Sequence, residues 1–222
     1  MDSQLAVRFV ALLAFSYLIG GIPWSLIIGK RFYGIDVREF GSGNLGATNV
    51  FRALGAKAAI ATLVLDAAKG AIAVAFAWWL MPTAAYGVTA HTWAMIAATM
   101  AAIFGHSYSP YIGFKGGKGV ATAAGALLVF TPYPWPFLFL SFILVVVISR
   151  MVSLGSIVVA IEYPILCIVF YPGNWTIFGF ACVAASLVIW RHRANIVRIW
   201  HREEPRISFG GRGSETRKKG VS

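Results

Sequence analysis

A chain of 222 residues, 59% of them hydrophobic and only 12% charged, with a mean hydropathy of +0.74, excludes an ordinary soluble domain and points to a polytopic membrane protein. The formal charge of +11 would suggest nucleic acid in a soluble protein. In a membrane protein it marks the loops kept on the cytoplasmic side, so no nucleic-acid partner is expected.

The first apolar run, Leu5 to Ile28, is too long and too bare of a small-residue cleavage site for a signal peptide, and reads as a retained span ended by Lys30-Arg31. A polar segment, Arg31 to Lys57, leads to a second span from about Ala58 to Leu80, closed by Met81-Pro82. The third span is expected from about Gly87 to Phe104. After a glycine- and lysine-rich stretch, the uncharged run to Ser149 is too long for one crossing, and Pro132, Pro134 and Pro136 divide it into two short spans. Met151 to Trp190 is again of double length, divided at Tyr171-Pro172-Gly173-Asn174. Cys167 and Cys182 lie inside these runs without Cys-x-x-Cys or Cys/His spacing, and read as small core residues.

The expected fold is therefore an all-α polytopic membrane protein with seven transmembrane helices, N-terminus outside and C-terminus cytoplasmic. Of the 19 Lys and Arg residues, all but Arg8 and Lys69 then fall on one side, which the positive-inside bias makes the cytoplasm. Residues 1–206 are expected to form a single domain and 207–222 a basic, disordered tail. Three polar segments, Arg31 to Lys57, Gly105 to Gly119 and Arg191 to Arg206, would all face the cytoplasm.

Within the first, Gly41-Ser42-Gly43-Asn44-Leu45-Gly46 matches G-x-G-x-x-G, but no apolar strand precedes it and Asp66, at the ribose-binding distance, lies in a span. A flexible phosphate- or hydroxyl-binding loop, running on through Ala47-Thr48-Asn49 to Arg52, stands against a plain interfacial loop. In the second segment, Gly116-Gly117-Lys118-Gly119 lacks the first glycine and the final Ser/Thr of a P-loop, so nucleotide hydrolysis is not expected. Its glycines could bring amides round an anion, with Lys115 and Lys118 beside them and a helix N-terminus behind. Lysines serving topology alone would not need three glycines among them.

Asp66 and Lys69, three apart inside the second span, should pair with each other or a neighbour, for structure or for a site. Glu162 is a lone acid of the sixth span, expected near an end or against a polar partner. In Arg191-His192-Arg193-Ala194-Asn195-Ile196-Val197-Arg198, read as continuing the last span, His192 and Asn195 share a helical face. An ordinary basic end to an amphipathic helix is the alternative. No histidine is separated from an Asp by four residues, which removes one acyltransferase arrangement, and neither a Ser/His/acid triad nor a zinc site is supported.

Taken together, GSGNLGATNVFR (Gly41 to Arg52), GHSYSPYIGFKGGKGVAT (Gly105 to Thr122) and RHRANIVRIWHREE (Arg191 to Glu204) closely resemble the three signature stretches of the PlsY family, the bacterial acyl-phosphate:glycerol-3-phosphate acyltransferases. Asp66-x-x-Lys69-Gly70 and the placing of the spans extend the resemblance to nearly the whole chain. It implies transfer of a fatty acyl group from acyl phosphate to the 1-hydroxyl of glycerol 3-phosphate, in the bacterial inner membrane, giving lysophosphatidate and phosphate.

Carried over by position, the resemblance makes Ser42, Arg52, Lys118, His192 and Asn195 the catalytic candidates. The substrate-binding candidates are Gly41, Gly43, Asn44, Asn49, His106, Lys115, Gly116, Gly117, Gly119 and Glu204. Before Glu204 many relatives have a small Gly-containing segment where this chain has Arg202-Glu203. No metal and no cofactor is expected. The partners would be acyl phosphate, glycerol 3-phosphate and membrane lipid, with hand-over from the acyl-phosphate-forming enzyme and to the next acyltransferase.

An acyl phosphate is already an activated mixed anhydride, so orientation and charge stabilisation suffice, with a donor phosphate oxygen or His192 taking the hydroxyl proton. A transporter or binding protein for an anionic phosphate metabolite is the competing class.

Overall fold

The computed structural model describes residues 3–207, so all of the expected basic tail but Ile207 lies outside the described residues. Among the described residues the regular structure is helical throughout, with one isolated antiparallel bridge between Ser109 and Lys115. The chain divides into two compact units, one ending at Phe130 and the other beginning at Thr131.

The first unit contains α1 (Ser3–Gly21), α2 (Trp24–Tyr33), α3 (Ala47–Leu54), α4 (Ala56–Leu80), α5 (Thr83–Ser107) and α6 (Val120–Phe130). The expected first span is broken at Ile22-Pro23, where proline lacks the N–H that would continue the ladder. The helix then resumes and runs past Lys30-Arg31 to Gly34, whose φ of 65° ends it in a left-handed cap. The polar segment is not all loop, since Ala47–Leu54 is helical. α5 begins at Thr83, earlier than expected, and is kinked at Gly87, where φ is 77°.

Small residues let these helices approach closely. A methyl group on Gly20 would run into the Ala102 carbonyl, one on Gly105 into that of Tyr17, one on Gly70 into that of Thr122, and one on Gly125 into that of Ala67. α1 is thereby seated against α5, and α4 against α6, backbone to backbone. Leu12, Val74, Ala77, Met81, Ala94, Met95, Ala98 and Ala126 fill the space between the four. A second cluster, from Leu26, Ile28, Val37, Leu45, Val50, Ala58 and Ala59, packs α2 and α3 against the start of α4.

The second unit contains α7 (Trp135–Ser149), α8 (Val152–Phe170), α9 (Trp175–Arg191) and α10 (Arg193–Trp200). Arg150, at φ 61°, ends α7 with its N–H on the Val146 carbonyl. Glu162 stands near the middle of α8, not at an end, and accepts a hydrogen bond from Ser141 Oγ of α7 at 2.7 Å. The last span does not continue straight: α9 and α10 meet at His192 with a bend of 60°.

Among the described residues, Ser3–Tyr33, α4, α5 and α8 are long and apolar enough to cross a bilayer, and α9 with α10 makes a fifth if the bent pair is one span. α6 and α7 are apolar but shorter; the 11 residues of α6 rise about 17 Å, against the ~30 Å of a hydrocarbon core. The chain is a multi-pass, all-helical membrane protein.

Candidate active site

The first polar loop is built outward from Asp36. Its Oδ1 accepts from the Arg38 backbone N–H at 3.0 Å and side-chain Nε at 2.9 Å, its Oδ2 accepts from Arg38 Nη2 at 2.6 Å, and Lys30 Nζ lies 3.3 Å away. The Arg38 guanidinium holds the Asp36 carboxyl far below the usual carboxylate range, against the opposing effect of burial. This Asx turn shapes the 3₁₀ turn Val37–Glu39, whose first carbonyl receives Asn49 Nδ2 at 2.8 Å.

Asn49 is 2% exposed. Its Oδ1 accepts from the backbone N–H of Ser42 at 3.0 Å and from Ser42 Oγ at 3.3 Å. The residue thus braces the loop from beneath, with its polar atoms engaged inward. Ser42 itself is exposed, between Gly41 and Gly43 at φ 48° and 68°, and its hydroxyl proton is directed at Asn49. Ser42 Oγ also accepts from the Asn44 backbone N–H at 3.4 Å, which leaves it one further acceptor position. Arg52 stands in the last turn of α3.

The glycine loop begins where α5 ends. Ser109 Oγ donates to the Gly21 carbonyl at 2.6 Å, and Ser109 pairs with Lys115 across a tight turn in which Gly113 and Phe114 have φ of 67° and 57°. Gly116 and Gly117 then pass directly over His106. A side chain on Gly116 would strike the His106 carbonyl, one on Gly117 its imidazole Nε2, and the Gly117 N–H donates to the His106 carbonyl at 3.2 Å. Gly119, at φ 79°, turns the chain into the N-terminus of α6. Lys115 is exposed and Lys118 half-buried.

Below the loop, His106 is 7% exposed, with Nδ1 3.6 Å from Asp66 Oδ1, and Asp66 in turn holds Lys69 at 2.8 Å. The first two signature stretches meet here: Leu45, His106, Ile112, Gly116 and Gly117 line one small cavity with Asp66 and Lys69.

In the second unit, His192 and Asn195 are both buried, at 2% and 6% exposure. His192 occupies the bend, its backbone N–H shared between the Val188 and Ile189 carbonyls and its Nδ1 2.8 Å from the Val188 oxygen. A carbonyl can only accept, so Nδ1 carries the proton and Nε2 of the neutral ring is the acceptor.

Asn195 Nδ2 donates to Glu204 Oε1 at 2.6 Å. The same oxygen accepts from Ser153 Oγ at 2.6 Å, and Oε2 accepts from Arg198 Nε at 2.8 Å. Burial raises the Glu204 carboxyl, but these three donors outweigh it and hold it below its ordinary value. Asn49, His106 and Glu204, expected to bind substrate, thus spend the polar contacts described here on protein groups. Asp36 and Ser153, which complete these frameworks, went unselected in the sequence. Asp36 carried a signal in the Asp-x-Arg spacing, whereas Ser153 lies 51 residues from its partner and carried none. Among the described residues no group of three His, Cys, Asp or Glu side chains could hold a metal ion.

The family model described as glycerol-3-phosphate acyltransferase matches residues 10–202. A glycerol-3-phosphate acyltransferase of Listeria welshimeri is 41% identical over 205 residues, 92% of this chain and 100% of that one. Among solved structures, PlsY, an integral membrane glycerol 3-phosphate acyltransferase, matches in its glycerol 3-phosphate form with a TM-score of 0.80 and 38% identity, over 90% of this chain and 96% of that chain. Its lysophosphatidic acid form matches with a TM-score of 0.79 and 36% identity, over 90% and 95%. The chain belongs to the PlsY family of glycerol-3-phosphate acyltransferases.

Proposed function

We propose that this enzyme transfers a fatty acyl group from acyl phosphate to the 1-hydroxyl of sn-glycerol 3-phosphate, giving lysophosphatidate and inorganic phosphate. The observation that carries this reading is the similarity, at 38% identity over 90% of the chain, to an acyltransferase crystallised with both a substrate-side and a product-side form. The hydroxyl oxygen attacks the acyl carbon, the bond from that carbon to the phosphate oxygen breaks, and the hydroxyl proton leaves on the departing phosphate.

The residues suit this division of labour. The loop from Gly116 to Gly119 with Lys118, backed by the N-terminus of α6, receives the phosphate of the donor. Arg52 provides charge for the glycerol phosphate, and the acceptor face of Ser42 Oγ meets its hydroxyl groups. His192 Nε2 and Asn195 orient the attacking hydroxyl. In the membrane we place seven crossings, with the N-terminus outside and the site in the cytoplasm of a bacterial inner membrane. The labile donor arrives there from an acyl-phosphate-forming enzyme, and the product passes to the next acyltransferase.

The test uses purified protein in detergent, with no membrane barrier. Given acyl phosphate and glycerol 3-phosphate it should release phosphate and lysophosphatidate in equal amounts, and acyl-CoA should not replace the donor. Absence of product, or turnover with acyl-CoA alone, would overturn the assignment.

A further inference from the structure

The proposed reaction makes no use of the ion pair between Asp66 and Lys69, although both side chains are 3% exposed and lie within a membrane-crossing helix. Charges so placed are expensive to desolvate, and a well-packed apolar replacement is often no less stable. Stability alone therefore gives little reason to keep them. Their geometry ties three separate pieces of backbone together. Lys69 Nζ, 2.8 Å from Asp66 Oδ1, also donates at 2.9 Å to the carbonyl of Ile22, where α1 gives way to α2 at Pro23. Asp66 Oδ1 lies 3.6 Å from Nδ1 of His106, on the last turn of α5.

The opposite edge of the His106 ring is the surface on which Gly117 rests, so closely that any side chain there would overlap Nε2. Gly116 rests likewise on the His106 carbonyl, which also takes the Gly117 N–H at 3.2 Å. The position of the imidazole therefore sets the height of the glycine loop. The cavity that these groups line is small, about 10 Å³. That is room for roughly one water beside Lys69, and too little for a phosphate group as the side chains stand.

We propose that Asp66, Lys69 and His106 are positioning residues. The ion pair anchors the imidazole, and the imidazole supports Gly116 and Gly117, and with them the turn that carries Lys118, at the level where the loop receives the phosphate of acyl phosphate. This rests on the reading of the glycine loop as the donor site. It predicts a defect confined to one substrate, which general loosening of the fold would not give.

The experiment compares wild type, Asp66→Asn, Lys69→Met and the double variant, purified in detergent, for melting temperature and for kcat and KM with each substrate. Each single variant leaves one buried charge uncompensated and should melt earlier. The double variant removes both charges and should regain most of the melting temperature. Its KM for acyl phosphate should still be raised at least tenfold, with KM for glycerol 3-phosphate within twofold of wild type.

Should the double variant not fold, His106→Asn carries the test. It keeps a polar group beside Asp66, gives up the ring edge beneath Gly117, and should show the same one-sided rise in KM. A folded variant with an unchanged KM for acyl phosphate, or with both KM values raised alike, would overturn the proposal. Failure of the wild type to use acyl phosphate at all would instead overturn the function on which it rests.

Discussion

Glu204 receives hydrogen bonds from Ser153, Asn195 and Arg198, which join the start of α8, α10 and the segment that follows α10. Its carboxylate holds the side-chain amide of Asn195 in place. Because the donors hold the folded carboxyl below the 4.5 of the free side chain, the stability it contributes is complete above about pH 4.5. That stability is lost as the pH falls through the lower folded value. Glu204→Gln should melt earlier than wild type at pH 7, with the difference shrinking in acid; a difference that grows in acid would contradict this network.

His192 permits a sharper test. If the departing phosphate takes the proton, His192→Ala should keep measurable turnover, reduced through misorientation. A loss beyond about 10⁴-fold with both substrates still bound would make Nε2 the base. The residue types proposed for the site were legible in the sequence, because the proposed chemistry requires cations, amides and glycines. The sequence did not reveal that Asn49 and His106 turn their polar atoms inward, since that depends on Val37 and Asp66, brought close only by folding.

At the scale of helices, the paired glycines outweigh helix propensity. In an isolated helix, replacing Gly125 by Ala would gain up to about 1 kcal/mol. Here the added methyl meets the Ala67 carbonyl, and overpacking of this kind costs about 1–3 kcal/mol. Gly125→Ala should therefore lower the melting temperature in detergent; a rise would mean that α4 and α6 have room to spare. The apolar runs were legible because a membrane demands them, and so were the divisions at Pro132 to Pro136 and at Tyr171 to Asn174. The break at Pro23 was hidden, since a single proline is compatible with a kinked but continuous span. The bend at His192 was hidden as well: no proline or glycine marks it, and the bifurcated bonds of its N–H appear only in the folded chain.

For the molecule as a whole, charge distribution and helix count make a joint prediction. With Cys182→Ala to remove the less buried native thiol, a cysteine placed at Tyr133 or Asn174 should react with a membrane-impermeant maleimide added to intact cells. One placed at Lys115 or Arg202 should react only after the membrane is opened. Labelling of Lys115→Cys from outside would overturn the proposed orientation, and with it the proposal of a cytoplasmic site.

The glycine contacts of the first unit bear on the rival reading as a carrier. A carrier that exposes its cargo first to one side and then to the other needs helices that can slide or rock past one another. Contacts of backbone on backbone, at Gly20 and Gly105 between α1 and α5 and at Gly70 and Gly125 between α4 and α6, oppose such a stroke within the unit. A rigid seat of this kind suits an anvil better than a gate: two molecules are brought against it, exchange a group, and depart from the side by which they came.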